Sequence, residues 1–374
     1  MAFPAKPPVL PISYQMNAAK GLIPRFGHAK FYLTAAFIFI LTLFGLLKSE
    51  TYTSVGTIPS YTASFQRGAY GDSLSKHAHN ETLGFEKVFY LNLPHRSDRR
   101  DGMAMLAALT NIRLIRKEGV NGSTIHEKAK PEGSGSLRPE QLGSWRGHAN
   151  VWRHIVEEKI QTALILEDDV DWDVKIHDIL QDMSIQLRKG HLRRHKPTRY
   201  EAAYAPYGLD WDLLYLGTCW NVKGETRPAS HIYEDRNAPN STEMDNNFPQ
   251  ELEYWGAGAL KKPRVRVIAP SWYPVCLTGY AVTLEGARNL LYQVGSGGGL
   301  TAPTDLEMIN RIQSGHLRSL TIVPPLITHW LTGTASDSDT SQLTDDGTLP
   351  KGSNNLRFSG RKALHEAVYR GINP

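Results

Sequence analysis

Residues 163–173 read ALILEDDVDWD. The stretch TALIL, from Thr162, does not alternate between polar and apolar positions, and an unbroken run of this kind marks a strand buried on both faces, the habit of central strands in parallel sheets. It runs without a spacer into five carboxylates within seven positions: Glu167, Asp168, Asp169, Asp171 and Asp173. A fold that holds such a segment must cover the strand on both sides yet leave its end open. An α/β sheet does this, because its strand ends face a ligand crevice.

The neighbouring sequence follows the same pattern. KVFYLNL reads as a strand, a helix starts at Ser97 and runs through RRDGMAMLAAL, and IRLIRKEGV reads as a second strand, which together make a βαβ opening. KAKPEGSGSLRPEQ interrupts before the helix SWRGHANVWRHIVEE and the strand TALIL. Further on come DLLYLGTCW, a polar insert over about 221–263, VCLTGYAVTL, the helix EGARNLLYQV, a GSGGG turn, the helix TDLEMINRIQSG and the strand LTIVPPLIT. The expected class is α/β, a mostly parallel sheet flanked by helices. The insert reads as a lid or a disordered loop, and the Ser/Thr/Asp-rich tail beyond Thr332 as loosely ordered.

Ahead of this domain, Phe31–Leu47 is a run of seventeen uncharged residues between Lys30 and Lys48, long enough to cross a bilayer. Lys6, Lys20, Arg25 and Lys30 precede it with no acid among them, which keeps the N-terminus cytosolic. The expected plan is a cytosolic tail over 1–30, an anchor over 31–47, a stem over 48–84, a catalytic domain over 85–332 and a tail over 333–374. That is a single-pass type II protein of the Golgi or ER membrane. The sequons at Asn80, Asn121 and Asn240 all fall on the luminal side. The net charge of +5 comes from scattered basic residues, some of them in the cytosolic tail, so nucleic acid is not an expected partner. With only Cys219 and Cys276 present, the core must carry the fold, and a disulfide between them and two buried thiols stand equally open.

Carboxylates this close repel one another and call for a cation, and a hard divalent metal takes oxygen ligands and bridges diphosphate oxygens. A solvated helix start would account for Asp171 and Asp173 but not for acids fused to the strand. An EF-hand loop fails because Val174 and Leu180 stand where its glycine and glutamate are needed. A metal-dependent hydrolase and a nucleotide-sugar transferase remain. Arg96, Arg99 and Arg100 open the first helix, where guanidinium and backbone N–H groups can both meet phosphate. Gly279 and Tyr280 in LTGYAVT offer a close backbone approach and an aromatic platform for a sugar. Asp305 and Glu307 in APTDLEM lie at a helix start, as catalytic carboxylates or as caps.

Taken together, VFYLNLPHRSDRR, GVNG, LGSWRGHANVW, ALILEDDVDW, TGYAVTLEGARNLL and PTDLEM, in this order over about Lys87–Trp330, resemble glycosyltransferase family 25, the lipopolysaccharide and collagen galactosyltransferase group. The resemblance implies a GT-A type fold, a UDP-sugar donor, usually UDP-galactose, a divalent metal such as manganese, and inversion at the anomeric carbon. It implies a nucleotide set of Arg96, Arg99, Arg100, Asn121, Gly122, Glu167, Asp168, Gly279 and Tyr280, and a metal set of Asp168, Asp169 and His329. The base is expected at Asp305 or Glu307, with His148 and His329 as alternatives. The acceptor would be a hydroxyl of a glycan or glycoprotein. Gly147 and Ser144 depart from the family pattern, which leaves room for a catalytically silent sugar- or nucleotide-binding protein, or for a membrane-tethered metal hydrolase.

Overall fold

The computed structural model describes residues 69–189, 192–221, 227–245, 247–260, 264–296, 299–333, 337, 339 and 351–370. The expected cytosolic tail and anchor lie outside these residues; among those described, no helix is long and apolar enough to cross a membrane.

Twelve strands are formed in chain order: β1 Lys87–Asn92, β2 Ile115–Glu118, β3 Thr162–Leu166, β4 Val170–Trp172, β5 Leu213–Gly217, β6 His231–Glu234, β7 Val265–Pro270, β8 Gly279–Thr283, β9 Ser319–Val323, β10 Ile327–His329, β11 Leu331–Thr332 and β12 Lys351–Gly352. Eight build one sheet in the order β2-β1-β3-β8-β5-β9-β7-β6. Both neighbours of β1 are parallel to it, and β5 is parallel to β9, whereas β8 runs antiparallel between β3 and β5 and β7 antiparallel between β9 and β6. Most strands therefore point one way, as expected, with β7 and β8 reversed. Each reversed strand is entered from the opposite end of the sheet, after a long excursion or a tight turn.

Every residue of β3, β5, β8 and β9 is buried. The two faces of the sheet feed separate cores. One gathers Val88, Leu164, Leu214 and Ile322 with Met103, Leu106, Ile179 and Met183 from the helices Ser97–Leu109 and Ile176–Lys189. The other gathers Phe89, Ile165 and Val282 with Trp145, Trp152, Leu290 and Met308 from the helices Pro139–Glu157, Leu284–Leu290 and Thr304–Gln313.

Four expectations are corrected. Ordered structure begins within the expected stem, ahead of residue 85: a helix spans Ala69–Lys76, and Leu74, Ala78 and Leu83 are buried, because a short apolar segment in a polar stretch can still plug an edge of the core. The helix expected from Ser144 starts at Pro139, where proline at the first turn sacrifices no helical bond and Gln141 accepts from the Arg138 N–H at 3.0 Å. The polar insert carries β6, the helix Asn247–Tyr254 and a small core of its own around Phe248, Leu252, Trp255 and Val267. The C-terminal residues 351–370 are also built in, as β12 and the helix Gly360–Arg370, with β12 pairing β11.

Candidate functional site

The strand ends collect the site. Asn92 ends β1, Leu166 ends β3, and Leu166 and Gly217 both pair with Gly279 at the start of β8. Past the end of β3 the chain turns at Asp168 and Asp169, so the three successive acids meet different partners. The partners bear this out. Asp168 accepts from Asn92 Nδ2 at 2.7 Å and from Arg99 Nη1 at 2.8 Å. Glu167 and Asp169 instead come together with His329, their ligand atoms all within 4.8 Å of one another. His329 arrives on β10, which pairs antiparallel with β4 so that His329 lies opposite Val170, and the Trp330 N–H closes on the Asp169 carbonyl at 2.7 Å. The expected metal set is thus corrected in one member: Glu167, not Asp168, shares a group with Asp169 and His329.

The chemistry of this group suits a divalent cation. It offers two carboxylates and an imidazole, and Asp169 Oδ1 is buried without a hydrogen-bond partner, an orphan acceptor of the kind that marks a missing donor or ion. Burial raises the Glu167 carboxyl above its ordinary range, against the hydrogen bond from His329. Burial also opposes charge on His329, but Glu167 and Asp169 outweigh it and raise its pKa. Burial raises Asp168, with Asn92 and Arg99 opposing.

Arg99 reaches both acids, at 2.8 Å from Asp168 and 3.1 Å from Asp169. Arg96 lies alongside, paired with Asp98, and both guanidiniums are also held by the C-terminal acids. Asp337 meets Arg96 at 2.6 Å and Arg99 at 3.3 Å, and Asp339 meets Arg96 at 2.7 Å. Arg100 contributes no described ion pair to the acids; its charge is felt by the Tyr90 hydroxyl. Two contributors escaped the sequence reading. Asn92 could have been found as a polar amide set between two leucines at the end of an apolar strand. Arg361, whose Nε donates to the Val170 carbonyl at 2.8 Å and whose guanidinium lies 5.8 Å from the Trp330 ring, carried no local signal because its segment read as a loose tail.

Several expected site residues have other work. Tyr280 is fully buried, its hydroxyl bonded to Trp152 Nε1 and His148 Nδ1, both at 2.9 Å, so it is no sugar platform. His148 is buried with it, and burial pushes its pKa down to about 3; a sealed neutral imidazole cannot serve as a base toward an acceptor. Gly279 admits a neighbour, as expected, but that neighbour is protein: a Cβ there would stand 2.9 Å from Ile327 Cδ1, so this glycine seats the strand that carries His329. Glu307 is buried and bound to Arg311 at 2.6 Å, with Thr301 at 3.3 Å, which removes it as a base. Asp305 is half-buried: Oδ1 accepts from the Leu306 N–H at 2.9 Å and Oδ2 from the Cys276 N–H at 3.2 Å. It caps no helix, since Pro303 holds the cap position. Asn121 follows β2 at the acid end of the sheet and accepts from the Ser123 N–H at 3.0 Å. Beside it Gly122 packs so tightly that a Cβ would fall 1.6 Å from the Pro139 carbonyl oxygen; its requirement comes from helix packing. Cys219 and Cys276 are joined by a disulfide.

Fold and site define an α/β domain whose strand-end acids and imidazole can hold a cation beside arginines suited to phosphate. Residues 85–205 match the family described as Glycosyltransferase family 25 (LPS biosynthesis protein). The chain is 24% identical over 301 residues to Procollagen galactosyltransferase 1-B of Xenopus laevis, covering 72% of this chain and 41% of the relative. It is 24% identical over 297 residues to Procollagen galactosyltransferase 2 of Mus musculus, covering 72% and 40%. A shorter match, 24% over 152 residues with 36% and 22% covered, is to the human protein named Inactive glycosyltransferase 25 family member 3. The chain spans about two fifths of the length of the first two relatives.

Proposed function

We propose that this chain is a GT-A type glycosyltransferase that moves a hexose, galactose first among the candidates, from a UDP-sugar to a hydroxyl of a glycan or glycoprotein, with inversion. The observation that carries the reading is the group Glu167, Asp169 and His329, with its orphan Asp169 oxygen, beside Arg99 in a family-matched segment. A divalent ion, manganese for preference, held by these three would neutralise the charge that develops on a diphosphate leaving group. Arg99 and Arg96 supply two guanidiniums for the phosphates once they part from the acids that hold them. Asp168, fixed by Asn92, orients Arg99. Asp305, anchored by the N–H groups of Leu306 and Cys276, takes the acceptor proton. The apolar run Phe31–Leu47, with only basic charges ahead of it, supports a luminal position for this domain at a Golgi or ER membrane.

A silent binding protein is the second reading. It is favoured by Arg99, which already gives Asp168 and Asp169 an internal counter-cation. Purified chain with a panel of UDP-hexoses, with and without manganese, decides between the two. Metal-dependent UDP release supports the transferase, and saturable UDP binding without release in any donor or acceptor combination supports the binder.

A further inference from the structure

The short loop Val275–Thr278, ahead of β8, touches three groups of the proposed reaction: Asp305, Glu167 and His329. The Cys276 N–H donates to Asp305 Oδ2 at 3.2 Å, the Thr278 carbonyl accepts from the Glu167 N–H at 3.3 Å, and Thr278 Oγ1 lies 3.2 Å from His329 Nε2. Within this loop Cys276 has φ +73°, a left-handed conformation in which a side chain crowds the backbone and which glycine alone adopts freely. That conformation turns its N–H toward Asp305. It is held from outside the loop. The disulfide ties Cys276 to Cys219 after β5. The Cys219 N–H also donates to the Val275 carbonyl at 2.9 Å, and the Val275 N–H to the Trp220 carbonyl at 3.1 Å.

We infer that Cys276, clamped by Cys219 in a left-handed conformation, is a positioning residue that aims the Asp305 carboxylate at the acceptor hydroxyl. The inference rests on the reading of Asp305 as the base. No chemistry passes through the sulfurs. Their bond holds strained backbone in place, and strain of this kind persists only where the surroundings impose it. Both cysteines lie outside the family-matched segment 85–205.

The test compares three forms of the full chain with wild type: Cys219→Ser/Cys276→Ser, Cys219→Ser/Cys276→Gly and Asp305→Asn. Both double variants lack the disulfide but differ in whether residue 276 tolerates a positive φ. The serine pair is expected to lose about tenfold or more in kcat, the scale of a misplaced catalytic group, with donor KM and cooperative melting kept. The glycine pair is expected to recover most of that loss. Reduction of the folded wild type by a phosphine, which becomes the phosphine oxide with oxygen from water as two thiols form, should lower kcat in the same way and covers the case of a serine pair that does not fold. Serine-pair or reduced chain with wild-type kcat overturns the inference, as does a glycine pair no better than the serine pair. Asp305→Asn separates the layers: near-normal transfer overturns the base assignment and the inference with it, whereas a crippled Asp305→Asn beside a fully active serine pair overturns the inference alone. A wild type that transfers no sugar overturns both.

Discussion

Tyr280 sits between a buried donor and a buried acceptor. Trp152 Nε1 donates to its hydroxyl, whose own proton is left for His148 Nδ1. Tyr280→Phe removes that hub and leaves an indole N–H and an imidazole nitrogen unpaired in the core, at a cost of about 1–3 kcal/mol. The expected result is a lower Tm with donor KM unchanged; a raised KM for the sugar donor at unaltered Tm would return the residue to the binding site. Glu251 gives a pH test. It is fully buried, and burial raises its pKa to about 7 despite the Asn221 N–H and the Trp255 indole. The folded chain therefore keeps a proton that the unfolded chain releases from about 4.5 upward, so the stability this group contributes is complete below that value and is lost as pH rises through about 7. Glu251→Gln should match wild type in Tm at pH 4.5 and exceed it at pH 8, with scanning calorimetry as the check.

At the scale of elements, the C-terminal segment is fastened at β4 and just beyond it by two acids, Asp171 and Asp173. Asp171 is fully buried; Oδ2 accepts from Ser353 Oγ at 2.6 Å and from Ser359 Oγ, and Oδ1 from the Arg361 N–H at 3.1 Å. Asp173 adds the Phe358 N–H at 2.8 Å. Neither is a solvated helix start. Asp171→Ala takes the acceptor from two hydroxyls and from the N–H groups of Arg361 and Trp172 at once, and should cost about 3 kcal/mol or more, the range for breaking a buried polar network. Limited proteolysis should then cut within or just before 351–370 at protease levels wild type resists. The acids Asp337 and Asp339 act on the other side of the same crevice, where they occupy the guanidiniums of Arg96 and Arg99. Asp337→Asn keeps a polar side chain but gives up its charge. Titration calorimetry should show UDP with manganese binding several-fold tighter to this variant, as a competing anion has been removed; weaker binding would instead make Asp337 part of the nucleotide site.

For the whole molecule, a ligand that binds only the folded chain raises stability with its concentration, by about 2.7 kcal/mol at a hundred times its Kd. Manganese should therefore raise the Tm in a dose-dependent way, and chelation should reverse the rise. Asp169→Ala should abolish the shift while leaving the metal-free Tm equal or higher, because it relieves repulsion with Glu167. A metal shift that survives in Asp169→Ala would place the ion elsewhere.

What the sequence by itself determined is what local chemistry can carry: unbroken apolar runs require buried strands, their alternation with helices requires a mostly parallel sheet, and acids fused to β3 require a cation. Asn92, a polar amide at the end of an apolar strand, carried a local signal that the sequence reading passed over. Tertiary structure decided what depends on partners distant in the chain. It put Glu167 with Asp169 and His329 and turned Asp168 to Asn92 and Arg99, since the crossing of β10 over the strand ends sets which side of the backbone meets the imidazole. It sealed Tyr280 and His148 in the core, spent Glu307 on Arg311, joined Cys219 to Cys276 across 57 residues and folded a polar C-terminal segment onto Asp171. None of these is written in a local pattern, because burial and pairing belong to the packed sheet and not to the residues that are neighbours along the chain.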